Sequence, residues 1–155
     1  MTRILGVDPG LTGAVALWDD SLDALEVRDA PTVEIKVGRS KNRTVYLKSA
    51  YKDIIKTLEP DLAIVEEVNG IKGQSASASF NFGRGLGLLE GILIAFDVPI
   101  HPVSPIAWQR ALRVPAGKDG SRLRATQLYP AYSHLFSLKK HHGRAEAALI
   151  ARYPV

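Results

Sequence analysis

Apolar residues arrive along this chain first in short branched runs and later at helical spacing, with glycine- or proline-bearing breaks between them. RILGVD at 3–8 predicts a buried strand, and GAVALWDD at 13–20 predicts a second, joined to it through the PGLT turn as a hairpin. ALEVRDAP at 24–31 suggests a third and completes a meander. KVGRSKNRTVYLK at 36–48 has too little apolar content for a core element, so an exposed hairpin or a mobile loop is expected. SAYKDIIKTLEPD predicts a helix capped by Ser49, with Ala50, Ile54, Ile55 and Leu58 on one face and Pro60 beyond its end. LAIVEEV at 62–68 is a further buried strand, and NGIKGQSASASFNFG at 69–83 reads as a polar loop. GLGLLEGILIAFD at 85–97 is an apolar helix whose Gly87 and Gly91 leave a smooth face. VPIHPV is a strand, and SPIAWQRALR opens a helix with a serine cap and proline at its first position. GSRLRATQLY and GRAEAALIAR complete the set as helices. The order β-β-β-α-β-α-β-α-α-α predicts an α/β layered domain, a mixed sheet with helices on its faces and a site at strand ends.

Composition narrows the class. A length of 155 residues predicts a single domain over 1–155, large enough for a real core. No apolar run reaches membrane-span length, and MTRILGVDPG lacks the apolar region of a signal peptide. The expectation is a protein with no secretion signal, in the cytoplasm or an organellar matrix. The chain has no cysteine, which excludes disulfides, thiolate catalysis and cysteine-based zinc sites.

The net charge of +4 is unevenly distributed. Residues 1–35 hold seven acids and two bases, residues 36–48 hold five bases and no acid, and residues 105–144 hold eight bases against Asp119. Such asymmetry suggests a polyanion-binding surface, with a solvated face as the plainer alternative.

Three carboxylates stand where elements meet. Asp8 ends the first strand, Glu66 lies in the fourth with Glu67 beside it, and Glu146 sits among alanines and aliphatics in the last helix. Each alone has an ordinary explanation: a turn residue, a solvent-facing pair, an edge-of-core acid near Arg144. Together they fit a different geometry. If the first and fourth strands are neighbours and the last helix covers their ends, three acids converge. Only divalent metal would then hold them all ionised. Oxygen ligands indicate Mg²⁺ or Mn²⁺, and two ions about 4 Å apart can activate water and stabilise the leaving oxygen in phosphodiester hydrolysis.

On these residues the chain resembles the RuvC-type Holliday junction resolvases of the RNase H-like fold. ILGVDPGLTGAVAL is similar to that family's first strand and turn, AIVEEV to its second acidic strand, and GRAEAALIA to its last helix. FGRGLGLLEGIL, VSPIAWQRAL and GKDGSRLRATQLYP follow in the order of the chloroplast-type and bacterial or phage-like branch. The resemblance implies an RNase H-like mixed five-stranded sheet flanked by helices. It also implies paired symmetric nicks in four-way DNA junctions, two Mg²⁺ or Mn²⁺ ions per site, 5′-phosphate and 3′-hydroxyl ends, and a homodimer. Asp8, Glu66 and Glu146 take the metal positions. Where the family commonly carries a further Asp, or sometimes His, this chain has His141 and His142. His142 lies four residues before Glu146 and shares its helical face, whereas His141 does so only if the helix starts after it. The pair could equally belong to a phosphate-facing loop with Lys139 and Lys140.

By the same resemblance Lys118 approaches the scissile phosphate, with Arg122 nearby. Lys41 and Arg43 in the basic stretch are expected phosphate contacts. Phe80 and Phe82 flank Asn81, with Arg84 close by. Either ring could wedge between bases at a crossover or tuck into the core. Trp108 is expected in the core, and the helix over 85–96 is the candidate dimer interface, with a fully buried helix inside one subunit as the plainer alternative. Two other readings remain: a protein that binds junctions without cutting them, and a sugar-kinase or actin-like phosphate-binding fold suggested by DPGLTG. The second needs another lobe and a second such loop.

Overall fold

A computed structural model of the chain describes residues 2–68 and 72–155. The meander forms as expected: β1 (Arg3–Asp8), β2 (Ala14–Asp19) and β3 (Ala24–Asp29) pair antiparallel in sequence. β6 (Leu62–Glu66) then adds parallel to β1, and β7 (Ile100–Val103) parallel to β6, for a five-stranded order β3-β2-β1-β6-β7. The remaining two strands, β4 (Thr32–Val37) and β5 (Lys41–Tyr46), form a separate two-stranded ribbon. The basic stretch is therefore a hairpin, and it begins four residues earlier than its charge suggested. Val33, Ile35 and Val37 alternate along β4 but stay exposed, so the usual strand signal points at no core.

The helices are α1 (Lys48–Leu58), α2 (Ala76–Ala95), α3 (Pro105–Ala111), α4 (Gly120–Leu128) and α5 (His142–Ile150), with 3-10 turns at Pro130–Phe136 and Lys139–His141. Two expectations need correction. Ser49 lies inside the first turn of α1, where Leu47 stands at the N-cap; left-handed Glu59 then ends the helix before Pro60. The region 69–83 is not all loop, because Ser75 caps α2 by accepting a hydrogen bond from the Ala78 amide, and the helix runs from Ala76. The low apolarity of SASAS hid this start, although alanine and serine suit a capped first turn. Residues 69–71 of that expected loop lie outside the described residues. Among the described residues, no helix is long and apolar enough to cross a membrane.

Side-chain alternation divides the sheet into two buried faces. Leu5, Val7, Val15, Leu17, Ala63 and Val65 point toward α1 and α2. Ala14, Ala16, Trp18 and Ile64 point the other way, into a core that includes Trp108 of α3, Ala125 of α4 and the buried alanines of α5. By the same parity Gly6, Asp8 and Glu66 belong to the α5 face.

Candidate metal centre and nucleic-acid groove

β1 and β6 run parallel with Val7 beside Val65, so Asp8 and Glu66 leave neighbouring strand ends on one face. α5 crosses that face almost in contact with the backbone. A Cβ on Gly6 would stand 2.1 Å from the Ala147 carbonyl oxygen and 2.3 Å from the Ala151 nitrogen. One on Gly143 would stand 2.5 Å from the Thr12 carbonyl oxygen and 3.1 Å from Asp8 Oδ2. Both positions therefore require glycine, and the two glycines bring Glu146 down to the strand ends. Arg144 anchors the start of α5 to the edge strand, its Nε and Nη2 each donating to the Asp29 carboxylate at 2.7 Å.

The result is the arrangement expected for the three acids: Asp8, Glu66 and Glu146 each offer an oxygen, and these lie within 4.8 Å of one another. Burial pushes the Asp8 carboxyl up to about 9, reinforced by the charges of Glu146 and then Glu66. Burial also raises Glu66, which the Trp108 hydrogen bond partly offsets, and it raises Glu146, partly offset by Ser121. All three shifts oppose ionisation, and a divalent cation would reverse them. The donor set is oxygen only, which fits a hard ion such as Mg²⁺ or Mn²⁺.

The two histidines separate clearly. α5 begins at His142, whose Nε2 lies 3.4 Å from Glu146 Oε1, on the shared face that the four-residue spacing implies. His141 is buried, and its Nδ1 accepts the Leu138 amide at 3.2 Å. Burial also depresses its basicity, followed by the charges of Arg144 and Lys140. His142 thus stands beside the acids, while His141 holds the preceding turn.

Two donors to the acids escaped sequence reasoning. The buried Trp108 Nε1 donates to Glu66 Oε2 at 2.6 Å, and Ser121 Oγ lies 3.4 Å from Glu146 Oε1. The need of any buried indole N–H for an acceptor was the available signal for Trp108.

Beside the acids runs a groove of about 910 Å³ between the β4–β5 ribbon and the first half of α2. The turn after Asp8 forms its floor, with Gly10 and Thr12, and Arg43, Tyr46, Asn81 and Arg84 are among its walls. Arg43 Nη2 donates to Asn81 Oδ1 at 2.5 Å and joins the ribbon to the helix. Phe82 lines the groove, its ring 3.8 Å from where a Gly10 Cβ would lie. Phe80, expected in a loop, projects from α2 with 66% of its surface exposed, and Arg84 lies over its ring at 5.8 Å. Lys41, Lys118, Lys139 and Lys140 are exposed. Arg122 instead turns inward, donating to the Phe136 and Ser137 carbonyls and to Asp119 Oδ1. On the outer side of α2, Gly87 and Gly91 face open space.

No protein-family model matches the chain. Among solved structures, Thermus thermophilus RuvC in complex with Holliday junction substrate aligns over 97% of this chain and 90% of its own, with TM-score 0.57 and 20% identity. A fowlpox virus resolvase with Holliday junction DNA aligns over 94% and 91%, with TM-score 0.51 and 14% identity. These likenesses concern the fold. Sequence carries the kinship further. The crossover junction endodeoxyribonuclease RuvC of Chloroflexus aurantiacus is 29% identical over 119 residues, covering 76% of this chain and 71% of that protein. That of Xanthomonas campestris pv. campestris is 31% identical over 124 residues, covering 78% and 68%. With an acidic centre built on β1, β6 and α5 and this degree of identity across most of both proteins, the chain belongs to the RuvC family.

Proposed function

We propose that the chain is a metal-dependent endonuclease that resolves four-way DNA junctions by paired symmetric nicks. The observation that carries this reading is the convergence of Asp8, Glu66 and Glu146, with a groove of basic walls opening over the turn that follows Asp8. Relatives of the chain are named crossover junction endodeoxyribonucleases, which agrees with it.

Asp8, Glu66 and Glu146 would hold two Mg²⁺ or Mn²⁺ ions, with His142 beside Glu146 as the fourth candidate ligand and His141 one turn-end away. When bound, such ions lower the pKa of the attacking water and polarise the phosphate. Everything else is done by the chain's own groups. Lys118 on the exposed loop before α4 reaches toward the scissile phosphate. Arg43 and Arg84 grip the backbone along the groove, Lys41 adds a contact from the turn end of the ribbon, and Lys139 and Lys140 extend the basic rim. Arg122 shapes that rim indirectly by holding the turn that leads to Lys139. Phe80, exposed at the helix surface, is the ring able to enter a base step, whereas Phe82 packs over the Gly10 turn. Two active sites are needed for symmetric cuts. The flat glycine side of α2 would join a second copy as a two-fold homodimer. The compartment is the cytoplasm or an organellar matrix, where DNA is found.

A synthetic four-way junction and a linear duplex of the same sequence, each with Mg²⁺, Mn²⁺ or chelator, test the reading. Metal-dependent paired nicks in the junction alone are expected. A junction bound tightly but left intact with either metal would replace it with binding without cleavage.

A further inference from the structure

We infer that Trp108 is a positioning residue for the metal centre: its indole N–H fixes the Glu66 carboxylate for cation binding. This inference rests on the metal-centre reading above. Trp108 is completely buried, and its Nε1 donates to Glu66 Oε2 at 2.6 Å. The nearest donors to Glu146, Ser121 Oγ and His142 Nε2, each lie 3.4 Å away. Glu66 therefore has the tightest side-chain donor of the three acids among the described residues.

The local sequence places the ring there. β7 ends at Val103, which pairs with Glu66, and the Glu67 amide donates to the Val103 carbonyl at 2.8 Å. Ser104 then caps α3 by accepting from the Ala107 amide, with Pro105 at the first position. The Trp108 amide closes onto the Ser104 carbonyl one turn later, which returns its side chain toward the end of β6. Strand end, cap and indole form one rigid bracket around Glu66.

The chemistry of the donor matters as much as its position. An indole offers one N–H and no charge. An arginine here would neutralise Glu66 and repel a divalent ion. The indole engages one oxygen, orients the carboxylate plane and leaves the negative charge for metal. Outer partners of this kind tune metal affinity, and their loss typically weakens it by about 10–100-fold.

The test compares wild type, Trp108→Phe and a protein whose Trp108 indole is replaced by its benzothiophene isostere, which keeps the ring volume but lacks the N–H. Mn²⁺ binding is measured by calorimetry without DNA, and junction cleavage is followed across a metal titration. Both altered proteins should bind Mn²⁺ at least about tenfold more weakly. Their cleavage curves should move to higher metal by the same factor, while the rate at saturating metal recovers. Should Trp108→Phe fold poorly, the isostere gives the answer alone. A folded isostere protein with wild-type Mn²⁺ affinity and an unshifted cleavage curve overturns the role and leaves the metal centre standing. A wild-type protein that binds no Mn²⁺ overturns the centre and the role together.

Discussion

Asp8→Asn should make the metal-free protein more stable. An unfolded carboxyl ionises near 3.8, whereas in the folded chain burial and two neighbouring acids push Asp8 up to about 9. Between those values the folded state holds a proton that the unfolded state releases, so stability is lost as pH rises through that window. At about pH 7 the full linkage is about 4 kcal/mol, at roughly 1.4 kcal/mol per pH unit. Water reaching a partly exposed site cuts this to about half, or about 2 kcal/mol. Asparagine matches the protonated acid in shape and has no charge to suppress. For a chain of this size each 1 kcal/mol is worth about 2–4 °C, so the variant should melt about 4–8 °C higher in chelator near pH 7. Its stability should also vary less with pH. Saturating Mg²⁺ should invert the order, because a ligand present at about 100 times its Kd adds about 2.7 kcal/mol to the protein that binds it. Melting curves followed by circular dichroism between about pH 5 and 9, with chelator and with Mg²⁺, give all four conditions. An Asp8→Asn protein that melts below wild type in chelator throughout that range would show that burial and the two neighbouring acids do not oppose Asp8 ionisation as described.

Gly6→Ala drives a methyl into the Ala147 carbonyl; it should cost at least about 1–3 kcal/mol and reduce cleavage by displacing Glu146, both measurable in melting and nicking assays. His142→Ala should impair cleavage while sparing junction affinity, whereas His141→Ala should chiefly lower the melting temperature through its lost bond to the Leu138 amide. The reverse pattern would exchange their assignments. Alanine at both Lys41 and Arg43 should weaken junction binding and lower the log–log salt slope by about 2, measured by fluorescence anisotropy across salt concentrations; an unchanged slope would leave the ribbon as solvated surface.

Much of the centre was legible because it depends on local rules. A carboxylate at a strand end, a second two positions beyond a buried isoleucine, and an acid among helical alanines all declare themselves by periodicity. Strand parity then puts Asp8 and Glu66 on one side. The contacts from Trp108 to Glu66 and from Arg144 to Asp29 were not legible, since each joins distant residues through side-chain geometry that no spacing encodes. Arg122 shows the opposite failure. Its charge suggested DNA, but the fold turns its guanidinium onto two carbonyls and Asp119. The ribbon was half legible: its basic strand was recognised, while the exposed aliphatic strand before it resembled neither core nor loop. The glycines at 6 and 143 passed unnoticed because an absent side chain leaves no pattern until its neighbour is known.

The seat of α5 on β1 also has a consequence for the order of assembly. Two of the three acids come from parallel strands that can pair once residue 66 exists, but the third arrives only with residue 146, carried by a helix that must find the N-terminal strand again across most of the chain. Such closure is slow compared with the formation of local turns. On a ribosome, a partly made chain could therefore already display its basic ribbon and attract DNA while the third acid is still apart from the other two. Cutting competence would come last, in one step, when the alanine face of α5 settles onto Gly6.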